Sequence, residues 1–399
     1  MIPPHIYLAV CVLAWGVLAS LQAISNSFAM LLVFRALLGI SEAAFAGVPF
    51  YLSFFFRDEE LASRVGIFIS AAPLATTFAS SLAWLITWFG EKTQIWAPWR
   101  LLFLVEGFPS VVVAYWVWTS LPDGPQEATF LSQREKRIAT TRLQGEHTGH
   151  GNLNEKHAVI QKPKLKVKEI LEALMDPKCY LTATMFFSIN VAFSSMPVFL
   201  PTIIKEMGWS STMAQALSAP PYLLAFVVVL LVSHASDKAK ARSPFIMLNA
   251  GLACSGYLLI FFAGLIGLPS WVRYLGVYPA TAGFFTCVTL IITWTLNNQE
   301  SDSKKGTGVA MLQYFGQCGP LLGTRLYPKS EGPLYLKGMV ICAGFMALVG
   351  FLALCLRWRL KRENLALRSQ RDALDTGEDL ELLAEGQERK RGGRFMYLL

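Results

Sequence analysis

The chain has 399 residues, of which 54% are hydrophobic and only 16% charged, and its mean hydropathy is +0.43. A soluble domain carries about a quarter charged residues, so this composition excludes a water-soluble enzyme or binding module and describes an integral membrane protein. The net charge of +8 would suit nucleic acid, but its distribution along the chain excludes that partner.

About ten apolar segments follow one another, at 6–25, 28–56, 63–90, 100–120, 179–204, 213–235, 244–267, 272–298, 305–327 and 337–358. Each approaches or exceeds the roughly 20 residues that cross a bilayer. No Lys or Arg precedes the first, so it reads as a span and not as a signal peptide. The second, Ser27 to Phe56, is almost unbroken apart from Arg35 and Glu42. Burying either charge in a bilayer costs at least ~2.5–3.5 kcal/mol, and such groups usually carry function. Two helical turns separate them, so they share a face about 10 Å apart along the axis. Either they line one cavity, or each pairs with a neighbouring helix. Gly39, Ser41, Ala43, Ala44 and Gly47 would let helices approach closely here. Glu106, following Trp99-Arg100 in the fourth segment, reads as a structural partner of a nearby base.

A long loop, 121–178, then intervenes. It holds a charged helical run from Ser132 to Arg142 and a Gly/His/Asn-rich stretch near 145–157. From Lys164 to Met175, Leu165, Ile170, Leu171 and Leu174 fall on one face, giving either an interfacial amphipathic helix or a solvated linker helix. The later segments carry isolated polar groups: Asn190, Tyr222, Trp294, Asn297, Gln313 and Gln317. These are candidates for lining a central site, Gln313 and Gln317 sharing a helix face. The bland alternative for each is an interhelical hydrogen bond, worth about 0.6 kcal/mol in bilayers. Pro220-Pro221, Pro279 and Pro320 supply bends. The tail beyond Lys361 is highly charged and reads as disordered or as a loose helix, with ERKRGGRF (388–395) either solvated or against anionic lipid.

Counting Lys and Arg in alternate loops gives 27 on one side and 7 on the other, with Arg35 inside a span. The positive side is the cytoplasmic one, so both termini and the 121–178 loop are expected there. The expected organisation is a first bundle over 1–120, a cytoplasmic loop over 121–178, a six-helix bundle over 179–358 and a cytoplasmic tail over 359–399. The seven cysteines have no paired spacing and the five histidines form no cluster, so neither a disulfide framework nor a metal or cofactor is expected.

RALLGISEA (35–43), WRLLFLVEGFPS (99–110) with LPDGP (121–125), and SDKAKARSP (236–244) resemble the major facilitator superfamily. DPKCY (176–180), FLPTIIKEMG (199–208), ALSAPPY (216–222) and LYPKSEGPLYLKG (326–338) are similar to the same group. More narrowly, they resemble its anion:cation symporters, the fungal allantoate, nicotinate, pantothenate and biotin permeases. The resemblance implies an all-α membrane fold of two six-helix bundles. Its first span looks like the third helix of that fold, so the expectation is an N-terminally truncated arrangement of four helices and then six. By the same resemblance Arg35 attracts the substrate carboxylate, Glu42 carries the coupled proton, and Asp237 with Arg242 belong to a gating loop between the sixth and seventh segments. The implied function is proton-coupled symport of a small organic anion by alternating access, in a monomer of the plasma membrane; the alternative is a truncated, non-transporting relative. An enzyme is not expected, because no nucleophile–base pair or metal constellation accompanies the spans.

Overall fold

Several helices begin where a side chain satisfies the first orphan N–H groups. Ser27 accepts from the Met30 N–H, Asp176 from Lys178, Ser210 from Met213 and Ser301 from Lys304. Others begin at proline, whose missing donor does no harm in the first turn; Pro4, Pro98 and Pro177 serve this role. In the computed structural model the described residues are 3–43, 47–57, 60–93, 97–147, 167–299, 301–385 and 397–398. Among them no strand occurs.

In chain order the helices are α1 (Pro4–Leu21), α2 (Phe28–Glu42), α3 (Val48–Leu52), α4 (Leu61–Thr93), α5 (Pro98–Ser120), α6 (Gln133–His147), α7 (Val167–Met175), α8 (Pro177–Glu206), α9 (Ser211–Lys238), α10 (Ser243–Ile266), α11 (Ser270–Asn297), α12 (Asp302–Gly316), α13 (Gly319–Gly323) and α14 (Leu336–Glu385). Eight helical segments among the described residues are long and apolar enough to cross a membrane. The two expected spans that fall short are divided: 28–56 into α2 and α3, and 305–327 into α12 and α13. Pro49 and Pro320, each in the first turn of its short helix, mark where the chain restarts. The helix of the last span does not stop at 358 but runs to Glu385, with an Arg359–Glu363 pair at 3.0 Å on its surface.

The central loop is only partly helical. Residues 148–166 lie outside the described residues, and with them the Gly/His/Asn-rich stretch and Leu165. The charged run forms α6, opened by a capping box in which Ser132 and Glu135 bond reciprocally. α7 docks on α12 through polar contacts: Ser301 Oγ donates to Glu169 Oε2 at 2.7 Å, and Lys304 pairs with Glu172 at 3.1 Å. It leaves Val167, Leu171, Leu174 and Met175 exposed.

Among the described residues the buried apolar core runs through α8 to α14 and takes from the first half Leu61, Val65 and Ile69 of α4, with Phe50, Leu52 and Phe56 packed against it. Its axis is α11, buried at every residue from Ala280 to Asn297. α10 reaches α11 closely because α11 presents glycine at the crossing: a Cβ on Gly283 would stand 2.4 Å from the Asn249 carbonyl oxygen and 2.7 Å from the Ala253 Cβ. In the first half α1 packs on α5 and α2 on α1. The two halves meet where α4 lies along α9 and touches α11. Gly66 permits that approach, since a Cβ there would be 2.5 Å from Ser233 Oγ.

Candidate functional site

α2 carries Arg35 and Glu42 on its length, and both are exposed. The Arg35 guanidinium lies over the Phe103 ring of α5, 5.0 Å from its centroid. Its charge acts on two carboxylates, Glu42 on its own helix and Glu106 on α5. Phe103 and Glu106 are one turn apart, so α5 presents a ring and then a carboxylate along the face that meets Arg35. Arg100, the base next to Glu106 in sequence, is engaged elsewhere: its Nη2 donates to Ser25 O at 3.2 Å and Asn26 Oδ1 at 2.9 Å. Arg35, some 70 positions earlier in the chain, is the base whose charge reaches Glu106. Sequence spacing held no signal for that pairing.

A second polar cluster lies where α9 turns into α10. Arg242 is fully buried, and its Nη1 pairs with Asp237 Oδ1 at 2.6 Å. The same guanidinium donates to Ser236 Oγ at 3.0 Å and, through Nε, to Asn297 Oδ1 at 3.2 Å. The other Asp237 oxygen accepts the Ser63 N–H in the first turn of α4, at 2.5 Å. A carboxylate there complements both the free N–H and the positive end of the helix dipole. One ion pair thus ties the α9–α10 turn to the other half of the molecule.

The remaining sequence candidates do not gather around Arg35. Asn297 holds Arg242, as above. Asn190 is buried and donates to Gly316 O at 3.2 Å, binding α8 to the end of α12. Tyr222 is buried edge-on to Phe285, and its hydroxyl has no hydrogen-bond partner among the described residues. Trp294 is fully buried and donates to Leu398 O at 2.8 Å. Gln313 and Gln317 bond each other at 3.2 Å at the end of α12. A surface groove of about 470 Å³ between α10 and α14 is lined by Met247, Cys254, Leu258 and Phe351 among others, and by none of these residues.

The fold and the site together define a polytopic helical membrane protein, with an exposed charged group on the first half and a contact between the halves built on an ion pair. The chain belongs to the Major Facilitator Superfamily, whose family description matches residues 2–324. It is 29% identical over 358 residues to the MFS transporter prlL of Fungal sp. (strain NRRL 50135), covering 89% of this chain and 70% of that protein. It is 26% identical over 363 residues to the high-affinity nicotinic acid transporter of Saccharomyces cerevisiae, covering 90% of this chain and 65% of that one. Among solved structures it resembles the proton:xylose symporter XylE, with a TM-score of 0.67 at 13% identity over 90% of this chain and 79% of XylE. It also resembles the human organic anion transporter MFSD10, with a TM-score of 0.59 at 14% identity over 88% of this chain and 77% of that one. At those identities the structural likeness speaks for the fold.

Proposed function

We propose that the chain is a secondary active transporter carrying a small carboxylate together with a proton by alternating access. The observation that carries this reading is the exposed Arg35 lying over Phe103, with Glu42 on its own helix and Glu106 one turn from that ring on α5. Its guanidinium is permanently charged and offers a planar fork to a carboxylate. With Glu42 and Glu106 both ionised, however, the three groups sum to a net negative charge that repels an anion. Taking up one proton brings the trio to neutrality and frees a fork for substrate. Binding of the anion and of the proton are then linked in one site, which is what symport requires.

Glu42 is the proton carrier in this reading, because it sits on the same helix face as the arginine and is desolvated and rehydrated in turn as the cavity opens to each side. Asn190, Tyr222, Trp294, Asn297, Gln313 and Gln317 belong to the second half, where they support or orient the path. Asp237 and Arg242 form the gate, holding α4 against α9 when this end is shut. The nicotinic acid transporter among the relatives supports a carboxylate as cargo. The cargo is taken up across the plasma membrane, with both termini in the cytoplasm.

Reconstituting the purified chain in liposomes and imposing a pH gradient tests the reading. Nicotinate and a panel of other carboxylates are expected to accumulate on the alkaline side, saturably, and to stop when the gradient is collapsed. Accumulation that ignores the gradient, or that is shared equally by neutral analogues, would defeat it.

A further inference from the structure

Tyr397 and Leu398, far along the sequence from every span, lie against the ends of α8, α11 and α14. Asn364 of α14 pairs with Tyr397 as one peptide group pairs with another. Its Nδ2 donates to the Tyr397 carbonyl at 2.8 Å, and its Oδ1 accepts the Tyr397 N–H at 2.9 Å. Asn298, just past α11, treats Leu398 the same way, accepting its N–H at 2.8 Å and donating to its carbonyl at 3.2 Å. Trp294 Nε1 donates to that same carbonyl at 2.8 Å. Lys178 of α8 closes the site: its Nζ is 4.1 Å from the Tyr397 ring centroid and donates to the Tyr397 hydroxyl at 2.9 Å, while also pairing with Glu363 at 2.9 Å.

Trp294, Asn298 and Asn364 are all buried, and among the described residues their side-chain hydrogen bonds go to this dipeptide. Side chains that satisfy both backbone groups of successive residues form a peptide-recognition site, with affinity drawn from main-chain hydrogen bonds. The occupant is within reach. From Glu385 back to Asn364 is about 32 Å along a helix, and residues 386–396 extend to about 40 Å at most.

The same end of α11 serves the gate. Asn297 holds Arg242, which pairs with Asp237, which in turn accepts the N–H of Ser63. Its neighbour Asn298 holds the tail. We infer that Tyr397–Leu398 is an intramolecular ligand whose docking at the ends of α8, α11 and α14 fixes Asn297 in place for Arg242, so that releasing the tail loosens the contact between α9 and α4. The role of that contact as a gate rests on the function proposed above; the docking and its coupling are measured without transport.

The experiment is hydrogen exchange on the full chain in lipid nanodiscs, read at single amides. In the unaltered protein the Tyr397 and Leu398 amides are expected to exchange at least tenfold more slowly than in the Asn298→Ala/Asn364→Ala double variant. The Ser63 amide is expected to exchange several-fold faster in that variant. Deleting residues 397–399 leaves every bundle side chain in place and is expected to speed Ser63 equally, and a synthetic peptide RFMYLL added to the deleted form is expected to slow it again. Tail amides exchanging at free-peptide rates in the unaltered protein overturn the docking. A Ser63 amide indifferent to both variants and to the peptide overturns the coupling.

Discussion

At the scale of single residues, the informative group is one guanidinium with two carboxylates in its field, and substitutions separate what each does. Arg35→Lys keeps the charge but loses the fork, so carboxylate affinity is expected to fall roughly tenfold, which is about 1.4 kcal/mol. Equilibrium binding of a labelled carboxylate checks it, and unchanged affinity would remove Arg35 from the site. Glu42→Gln fixes the trio in its neutral balance. Exchange of substrate across the membrane is then expected to persist while accumulation driven by pH disappears. Glu106→Gln removes a competitor for the guanidinium and leaves Arg35 and Glu42 neutral before any proton is bound, so affinity is expected to rise several-fold and to depend less on proton uptake. Were Glu106→Gln to abolish coupling and Glu42→Gln to spare it, the two carboxylates would have exchanged roles. Arg35 and Glu42 were legible in the sequence because a charge inside an apolar run announces itself. Glu106 was legible as the partner of a nearby base, but which base depends on how the helices of the first half are arranged, which no local pattern encodes. Trp294 and Asn297 read as cavity-lining because sequence supplies polarity without direction, and their hydrogen bonds go instead to Leu398 and to Arg242.

Among the elements, the α9–α10 turn and the first turn of α4 form a unit whose strength is testable. Arg242 is fully buried, so removing its partner leaves an uncompensated charge, a change that typically costs about 3–5 kcal/mol. Asp237→Asn is therefore expected to lower thermal stability markedly. Adding Arg242→Met to it should recover part of the loss, because the stranded charge goes with it. Thermal unfolding of the purified variants decides this; additive losses in the double variant would show that the two side chains do not act as a pair. A gentler element-scale test concerns α6, where bonds from the Ser132 backbone and side chain hold the Glu135 carboxyl below its usual range. A carboxyl lowered in the folded state contributes stability that is complete above its unfolded value and is lost as pH falls through the folded value. The amides at the start of α6 should accordingly lose protection on acidification below the ordinary carboxylate range, after correction for intrinsic exchange. Ser132→Ala should weaken that pH dependence without abolishing it, because the bond from the Ser132 backbone N–H, the larger cause, remains. The helix itself was legible from its charged run, whereas α2/α3 and α12/α13 were each read as one span, since proline inside an apolar stretch marks a bend or a break with equal force.

For the whole molecule, the core is unevenly shared: α8 to α14 hold it, and the first half joins it through α4. That the chain is a helical membrane bundle was evident from composition and segment length, because the bilayer allows few solutions and helices are the commonest. Which faces meet was not evident, since lipid-facing and protein-facing positions are equally apolar and hydropathy does not tell them apart. Sidedness is the property of the whole that charge alone should fix. With 27 Lys and Arg in one set of loops and 7 in the other, the 121–178 loop and the region beyond 359 are expected in the cytoplasm. The bias is broad: the large loop and the tail both contribute, so no single charge decides it. A cysteine introduced at Asn152 should react with a membrane-impermeant thiol reagent only after the cells are opened. The chain's own exposed Cys318, at the end of α12, requires a Cys318→Ser background for that measurement. Labelling of intact cells would place the long loop outside, reverse every span, and turn the Asp237–Arg242 contact into an outer gate in place of an inner one.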